Sequence, residues 1–189
     1  MALFTSRDGG ETWTKIRITS VSGCGYAVAL DPKDSRLIYV GGSKQAKAAL
    51  FRTENGGSSW REVTGSIKGI IVELALDPRT SQTIYAGTPN GLFRSRNGGQ
   101  TWERNAKFDV RAIKVDPNSP DRIWAGDEDG LYQSADGGST WTPLSCLIVP
   151  KITCLEFDAR KSILYAGTDG GGLAGTIVPS ASSPAEQGR

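Results

Sequence analysis

The 189-residue chain contains no histidine and only three cysteines, Cys24, Cys146 and Cys154. Without an imidazole there is no Ser-His or Cys-His nucleophilic machinery and no zinc site that relies on histidine. An odd number of cysteines with no CxxC pair is not a disulfide framework. Buried free thiols are expected, with a Cys146–Cys154 bridge as the alternative. No apolar run approaches the ~18–20 residues that span a bilayer, and no charged-then-apolar leader precedes the first strand. No membrane partner is therefore expected, and a cytoplasmic location if the chain is full-length. The formal charge of +2 is close to balance, which gives no electrostatic reason to expect nucleic acid. One soluble domain with a single core is the economical reading of this length.

Glycine is plentiful, at 24 residues, and it is patterned. Four phrases repeat: Ser6-x-Asp8-x-Gly10-x-x-Trp13, Thr53-x-Asn55-x-Gly57-x-x-Trp60, Ser95-x-Asn97-x-Gly99-x-x-Trp102 and Ser134-x-Asp136-x-Gly138-x-x-Trp141. The tryptophans are 47, 42 and 39 residues apart. Hydroxyl and Asp/Asn side chains can bond nearby backbone N–H groups to form a turn. The paired glycines allow the positive φ of a tight hairpin. The Trp supplies an apolar body that locks the hairpin onto its own sheet. A period of roughly 40–45 residues with this turn chemistry predicts a β-propeller of four-stranded antiparallel blades.

The rest of each unit aligns as well. An alternating strand runs to Asp-Pro or a close relative: Tyr26–Pro32, Val72–Pro78, Arg111–Pro117 and Thr153–Ala159. Period two puts Val28/Leu30, Leu74/Leu76, Ile113/Val115 and Leu155/Phe157 on one face. Ala27/Ala29, Glu73/Ala75, Ala112/Lys114 and Cys154/Glu156 fall on the other. A second strand ends at Gly41, Gly87, Gly126 and Gly167, and a third (Leu50-Phe51, Leu92-Phe93, Leu131-Tyr132) leads into the repeated phrase. Each unit thus reads as strands A, B and C, the phrase as the C–D hairpin, and D from the Trp onward.

These phrases resemble the Asp-box (BNR) repeat of sialidases, sortilin-type receptors, xyloglucan-cleaving glycosidases and photosystem II assembly factors, over about residues 3–176. The resemblance implies a propeller in which the boxes are structural hairpins, generally remote from the active site. One short side chain per hairpin is also too few ligands for calcium, so no metal and no cofactor are expected.

The chain opens on strands C and D, at Leu3-Phe4 and from Trp13, and closes on strands A and B at 153–168. Four blades are expected, with the terminal strands completing one: residues 3–23 with 152–176, then 24–69, 70–109 and 110–151, making a propeller domain over 1–177. An incomplete arc of a larger ring, or a homodimer in which two chains complete one ring, are the alternatives. Gly170-Gly171-Gly172 lacks the lysine and following helix of a phosphate loop. The Ser/Pro/Ala-rich tail 178–189 is expected to be disordered.

Meander parity places the A–B turns and the boxes at one end of the blades, and the B–C and D–A loops at the other. The latter end is the expected binding face. Its candidates are Lys44 and Lys47 in a long Ser43–Ala49 loop, Asn90, Asp127, Glu128 and Asp129 in one turn, and Asp169 on the neighbouring blade. The four acids otherwise read as solvated turn residues. Glu73, Lys114 and Glu156 are expected to line a central channel as structural ion pairs. With no evident acid pair, the expectation is a noncatalytic module for a protein or carbohydrate ligand. A glycoside hydrolase fragment or relative is the alternative.

Overall fold

The computed structural model describes residues 1–19, 22–144, 151–170 and 172–177, with side chains up to residue 172. The expected tail 178–189, Cys146 with its bridge to Cys154, and Gly171 of the glycine run lie outside the described residues. Among the described residues the chain is all-β, with seventeen strands in five antiparallel sheets. The first sheet is a hairpin of β1 (Ala2–Thr5) and β2 (Thr14–Arg17). The second holds β3 (Gly23–Leu30), β4 (Ile38–Lys44), β5 (Lys47–Thr53) and β6 (Arg61–Glu62). The third holds β7 (Glu73–Leu76), β8 (Ile84–Thr88), β9 (Gly91–Ser95) and β10 (Glu103–Arg104), and the fourth β11 (Ala112–Val115), β12 (Ile123–Gly126), β13 (Leu131–Ser134) and β14 (Thr142–Pro143). The last sheet has β15 (Ile152–Asp158), β16 (Ile163–Thr168) and β17 (Gly172–Ile177). The four A strands β3, β7, β11 and β15 pack in series, which is the β-propeller arrangement expected from the period.

Alternation along each A strand decides what fills the space between blades. Leu74 packs with Ala27, Tyr39 and Leu50 of the preceding blade, and Ile113 and Val115 with Tyr85 and Leu92 of theirs. Leu155 and Phe157 pack with Ala112 and Trp124, the Trp124 and Phe157 rings lying 4.7 Å apart. Small A-strand residues on one blade thus receive branched or aromatic ones from the next. Each fully buried Leu, Ile or Phe of this kind contributes about 1.5–3 kcal/mol.

Each box builds the same turn. Ser6 Oγ accepts from the Gly10 N–H at 2.8 Å, Asp8 Oδ1 from the Thr12 N–H at 2.9 Å, and Trp13 Nε1 donates to the Gly10 carbonyl at 3.0 Å. The pattern recurs at Thr53/Asn55/Trp60, Ser95/Asn97/Trp102 and Ser134/Asp136/Trp141. All eight paired glycines have φ between 66° and 98°, the region that L side chains avoid. The parity expectation holds: N–H groups of Gly56, Gly98 and Gly137 in the boxes bond carbonyls of Arg36, Gln82 and Asp121 in the A–B turns. The aspartate of each Asp-Pro is itself a turn cap. Asp31, Asp77 and Asp116 are buried, and each accepts from a backbone N–H two residues on.

Three features differ from expectation. β16 pairs with β17 from Ile163↔Ile177 to Thr168↔Gly172, and β1 pairs with β2 alone. The terminal strands therefore do not complete one blade. A local hairpin closes a few residues, whereas recruiting β1 to β16 closes nearly the whole chain at greater entropic cost. No packing like that of β3 on β7 joins β15 to β3. Second, the Ser43–Ala49 loop is a two-residue turn. Strand pairing runs out to Lys44↔Lys47, with Gln45 and Ala46 at φ 51° and 60°, the primed geometry that matches strand twist. Third, Cys24 and Cys154 are exposed rather than buried.

Candidate functional site

The B–C turns and D–A connections share one end of the arc, held together by a repeated device. Ile71, Val110 and Ile152, the lead-ins to three A strands, are each fully buried. Their N–H groups bond the carbonyls of Gly42, Thr88 and Asp127 on the preceding blade. A Cβ on Gly41, Gly87 or Gly126 would stand 2.6, 3.0 or 2.4 Å from a methyl of Ile71, Val110 or Ile152 respectively. These three B-strand glycines are thus seats for the next blade's apolar plug.

Just inside these plugs the chain opens a cleft of ≈ 450 Å³, lined by Tyr26, Val72, Pro89, Asp109, Arg111 and Thr153. Four of the six occupy one repeat position, the residue four before Leu30, Leu76, Val115 and Phe157. Four blades therefore contribute a hydroxylated aromatic, a branched apolar group, a guanidinium and a hydroxyl to one opening. Tyr26 is 56% exposed. Arg111 Nε donates to Asp109 Oδ2 at 2.9 Å and Nη2 to Glu128 Oε1 at 2.5 Å. The hydrogen bond it donates to Asp109 leads the causes that hold the Arg111 pKa above its usual value. Asp109 Oδ1 is buried with no partner among the described residues. A concave, mixed apolar and polar opening with a few convergent polar groups is what a small ligand needs.

Below the mouth, Glu73, Ala75, Lys114, Cys154 and Glu156 from β7, β11 and β15 line a second cavity of ≈ 370 Å³. Lys114 Nζ lies 2.6 Å from Glu156 Oε1. Burial pushes the Glu73 pKa up, opposed by the N–H of Leu74 and the charge of Lys114. The three residues thus share one cavity as expected, with Lys114 paired to Glu156 rather than to Glu73.

The sequence-derived rim candidates are distributed differently. Lys44 is 2.5 Å from Glu62, and Lys47 faces it across the turn. Asn90 donates its N–H to Thr88 Oγ1, and its carbonyl accepts from Arg104. Asp127 is only 3% exposed, and its Oδ1 accepts from the N–H groups of Asp129 and Gly130. It is the post of its own turn rather than a solvated acid, and burial pushes its pKa up. Glu128 clamps Arg111, and Asp169 lies 3.6 Å from Lys151. None of the seven lines the cleft, although Glu128 and Asn90 adjoin it through Arg111 and Pro89. The wall residues Tyr26, Val72, Arg111 and Thr153 escaped the sequence reading. Their signal was a repeat position whose chemistry changes in every unit while the apolar pair two and four residues on stays alike. Among the described residues no cluster of His, Cys, Asp and Glu is arranged to hold a metal ion.

Comparison with known proteins gives the chain its relatives. No family model matches it. The oligoxyloglucan-reducing end-specific xyloglucanase of Emericella nidulans is 29% identical over 116 residues, covering 54% of this chain and 14% of its own length. A xyloglucanase of Hypocrea jecorina is 27% identical over 127 residues, covering 56% and 15%. Xyloglucanase Xgh74A of Acetivibrio thermocellus is 31% identical over 135 residues, covering 54% and 16%. The chain therefore spans about a seventh of the length of the curated relatives it matches. Among solved structures, an ancestral GH74 enzyme superposes with a TM-score of 0.68 at 22% identity, covering 87% of this chain and 24% of that one. YCF48 bound to D1 peptide gives 0.65 at 18% identity, covering 93% and 56%. These likenesses place the chain in the β-propeller fold.

Proposed function

We propose that the chain is an arc of a xyloglucanase-type glycoside hydrolase propeller and that its contribution is a glycan-binding wall, the cleft between Tyr26 and Arg111. The observation that carries this reading is sequence similarity at 27–31% identity to several xyloglucanases over 116–135 residues, a span long enough to include several blades. The cleft supports it chemically. An exposed aromatic ring offers an apolar platform with a polar tip, and a guanidinium offers fixed donors to hydroxyls. The acids around the mouth are engaged in other work. Asp109 and Glu128 hold Arg111, and Asp127 posts its turn. A hydrolytic pair needs one acid free to protonate and a second at a set separation, so the wall binds while chemistry falls to acids elsewhere in the full enzyme.

Titration calorimetry of the chain with xyloglucan oligosaccharides tests this. Tyr26→Ala and Arg111→Ala are each expected to weaken binding at least about tenfold, or about 1.4 kcal/mol. Reducing-end release by the chain alone is expected to stay at background. Unchanged affinity in both variants would remove the cleft from the binding surface. Turnover that disappears in Asp127→Asn or Asp169→Asn would move catalysis onto this arc.

A further inference from the structure

Arg52 on β5 and Arg94 on β9 hold the same place in the repeat, one residue ahead of their boxes, and both side chains are buried. In the third sheet the residue opposite is a carboxylate. Glu103 on β10 pairs in register with Arg94, and its Oε1 accepts from Arg94 Nε at 2.8 Å and lies 2.6 Å from Nη2. Arg96 Nε approaches the same oxygen at 3.7 Å. The third nitrogen is also engaged, since Arg94 Nη1 and the Tyr85 hydroxyl both donate to the Gly137 carbonyl of the next box. Two guanidiniums thus converge on one internal carboxylate, and every nitrogen of Arg94 has a partner.

The second sheet repeats this frame with two charges exchanged. Arg61 on β6 stands opposite Arg52, and Glu54 occupies the place of Arg96. Glu54 Oε1 lies 2.6 Å from Arg52 Nη2. Arg52 Nε is buried with no partner among the described residues, and so is the Tyr39 hydroxyl, the counterpart of Tyr85. Arg61 is exposed and has no ion pair among the described residues. Like charges directly opposite on paired strands repel, and a buried donor without a partner costs free energy. Arg52, Arg61, Asn55 and Ser59 help to line a pocket of ≈ 170 Å³. Asn55 Nδ2 donates to Ser59 Oγ at 2.8 Å, which leaves the Ser59 O–H to donate elsewhere. In the fourth sheet the corresponding pair is the uncharged Gln133↔Thr142.

We infer that this pocket binds a phosphate group, free or as a monoester, between Arg52 and Arg61. The third sheet shows the seat already filled, by the Glu103 carboxylate on Arg94 and Arg96. In the second sheet Glu54 reaches Arg52 Nη2 alone, so Arg52 Nε, the Arg61 guanidinium and the Ser59 O–H remain as donors. Guanidinium donors match phosphate oxygens in geometry and charge. A tetrahedral dianion offers oxygens in all three directions and offsets the second guanidinium, which a planar carboxylate does less well. The pocket is well below the roughly 300–1,000 Å³ of drug-sized ligand sites, a size for an ion or for the head of a larger molecule. It lies at the box end of the blades, opposite the cleft, and is independent of the glycan-binding reading.

Titration calorimetry of the 189-residue chain with inorganic phosphate, at ionic strength held constant with chloride, tests the proposal. A dissociation constant on the order of 1 mM is expected. The double change Glu54→Arg with Arg61→Glu transplants the third sheet's arrangement without altering net charge. It is expected to weaken phosphate binding at least about tenfold. Its melting temperature in phosphate-free buffer is expected to hold or to rise by up to about 4 °C, as a like-charge cross-strand pair becomes an opposite one. Arg61→Ala, a truncation at an exposed position, is expected to lose affinity likewise and guards against misfolding of the double variant. Glucose 6-phosphate separates the two sources: tighter binding than the free ion assigns the site to a monoester, weaker binding to the ion. A wild-type chain that takes up no phosphate overturns the proposal. So does an Arg61→Ala or exchanged variant that binds it unchanged, since general attraction by net charge would survive the exchange.

Discussion

Thr12 and Thr140 divide the four boxes into two electrostatic kinds. Where the second box residue is aspartate, the threonine hydroxyl donates to its carboxylate, as Thr140 Oγ1 does to Asp136 Oδ2 at 2.6 Å. Where it is asparagine, the amide donates instead, from Asn55 to Ser59 and from Asn97 to Thr101 at 2.8 Å. The threonine bond leads the causes that bring the Asp136 pKa from 3.8 down to about 2, and Asp8 is lowered for the same reason. A carboxylate whose folded pKa is depressed adds stability that is present above its unfolded value and lost as pH falls through the folded one. Between about pH 4 and 2 the Asp136 turn therefore loses its ionic component. Asp136→Asn is expected to flatten that acid limb, because Asn55 and Asn97 make the same backbone bonds without titrating. Urea midpoints of both proteins from pH 5 to pH 2 check it, and parallel pH slopes would count against the assignment. These turns were legible because the side-chain bonds that shape each box span four residues or fewer. The burial of Asp127 was not, although its turn bonds are as local, and its carbonyl accepts from Ile152 of the next blade.

At the scale of elements, the joint between B strands and the following lead-in sets the spacing of the blades. Gly126→Ala places a methyl against Ile152 and is expected to cost about 1–3 kcal/mol, as overpacking does. Ile152→Ala empties the seat and is expected to cost about 2–5 kcal/mol. Combined, the two changes should cost less than their sum, because the new methyl partly fills the space the isoleucine leaves. Denaturant unfolding of the two single variants and the double variant measures the coupling, and strict additivity would mean that the residues do not share one joint. The glycines stood out in the sequence at the end of each B strand, but their partners did not. Ile71, Val110 and Ile152 each stand one residue before the cleft position of the repeat, and only the packing of one blade on the next shows that they seat on these glycines. The turn at Gln45–Ala46 escaped for another reason: neither residue is among the usual occupants of a primed hairpin turn.

Among the described residues, the strands of the third and fourth sheets are mostly buried, whereas β1 to β3 and β15 carry more exposed positions. Hydrogen exchange should report this gradient. Amides of β8 and β12, buried throughout, are expected to be the last strand amides to exchange, and those of β1 the first, since local opening follows lost burial. Uniform protection from β1 to β16 would instead mean that the two ends meet within one chain. The sequence by itself determined the strands, the hairpins, the period and the inward and outward faces of each A strand, because these depend on alternation and on turn chemistry within a few residues. The tertiary structure decided what the sequence left open. It gave β16 its neighbour β17, left Val28 and Leu30 in solvent, and gathered Tyr26, Val72, Arg111 and Thr153 into one mouth. Those outcomes depend on how four sheets are turned about a common axis, and the contacts that fix that rotation join residues some forty positions apart.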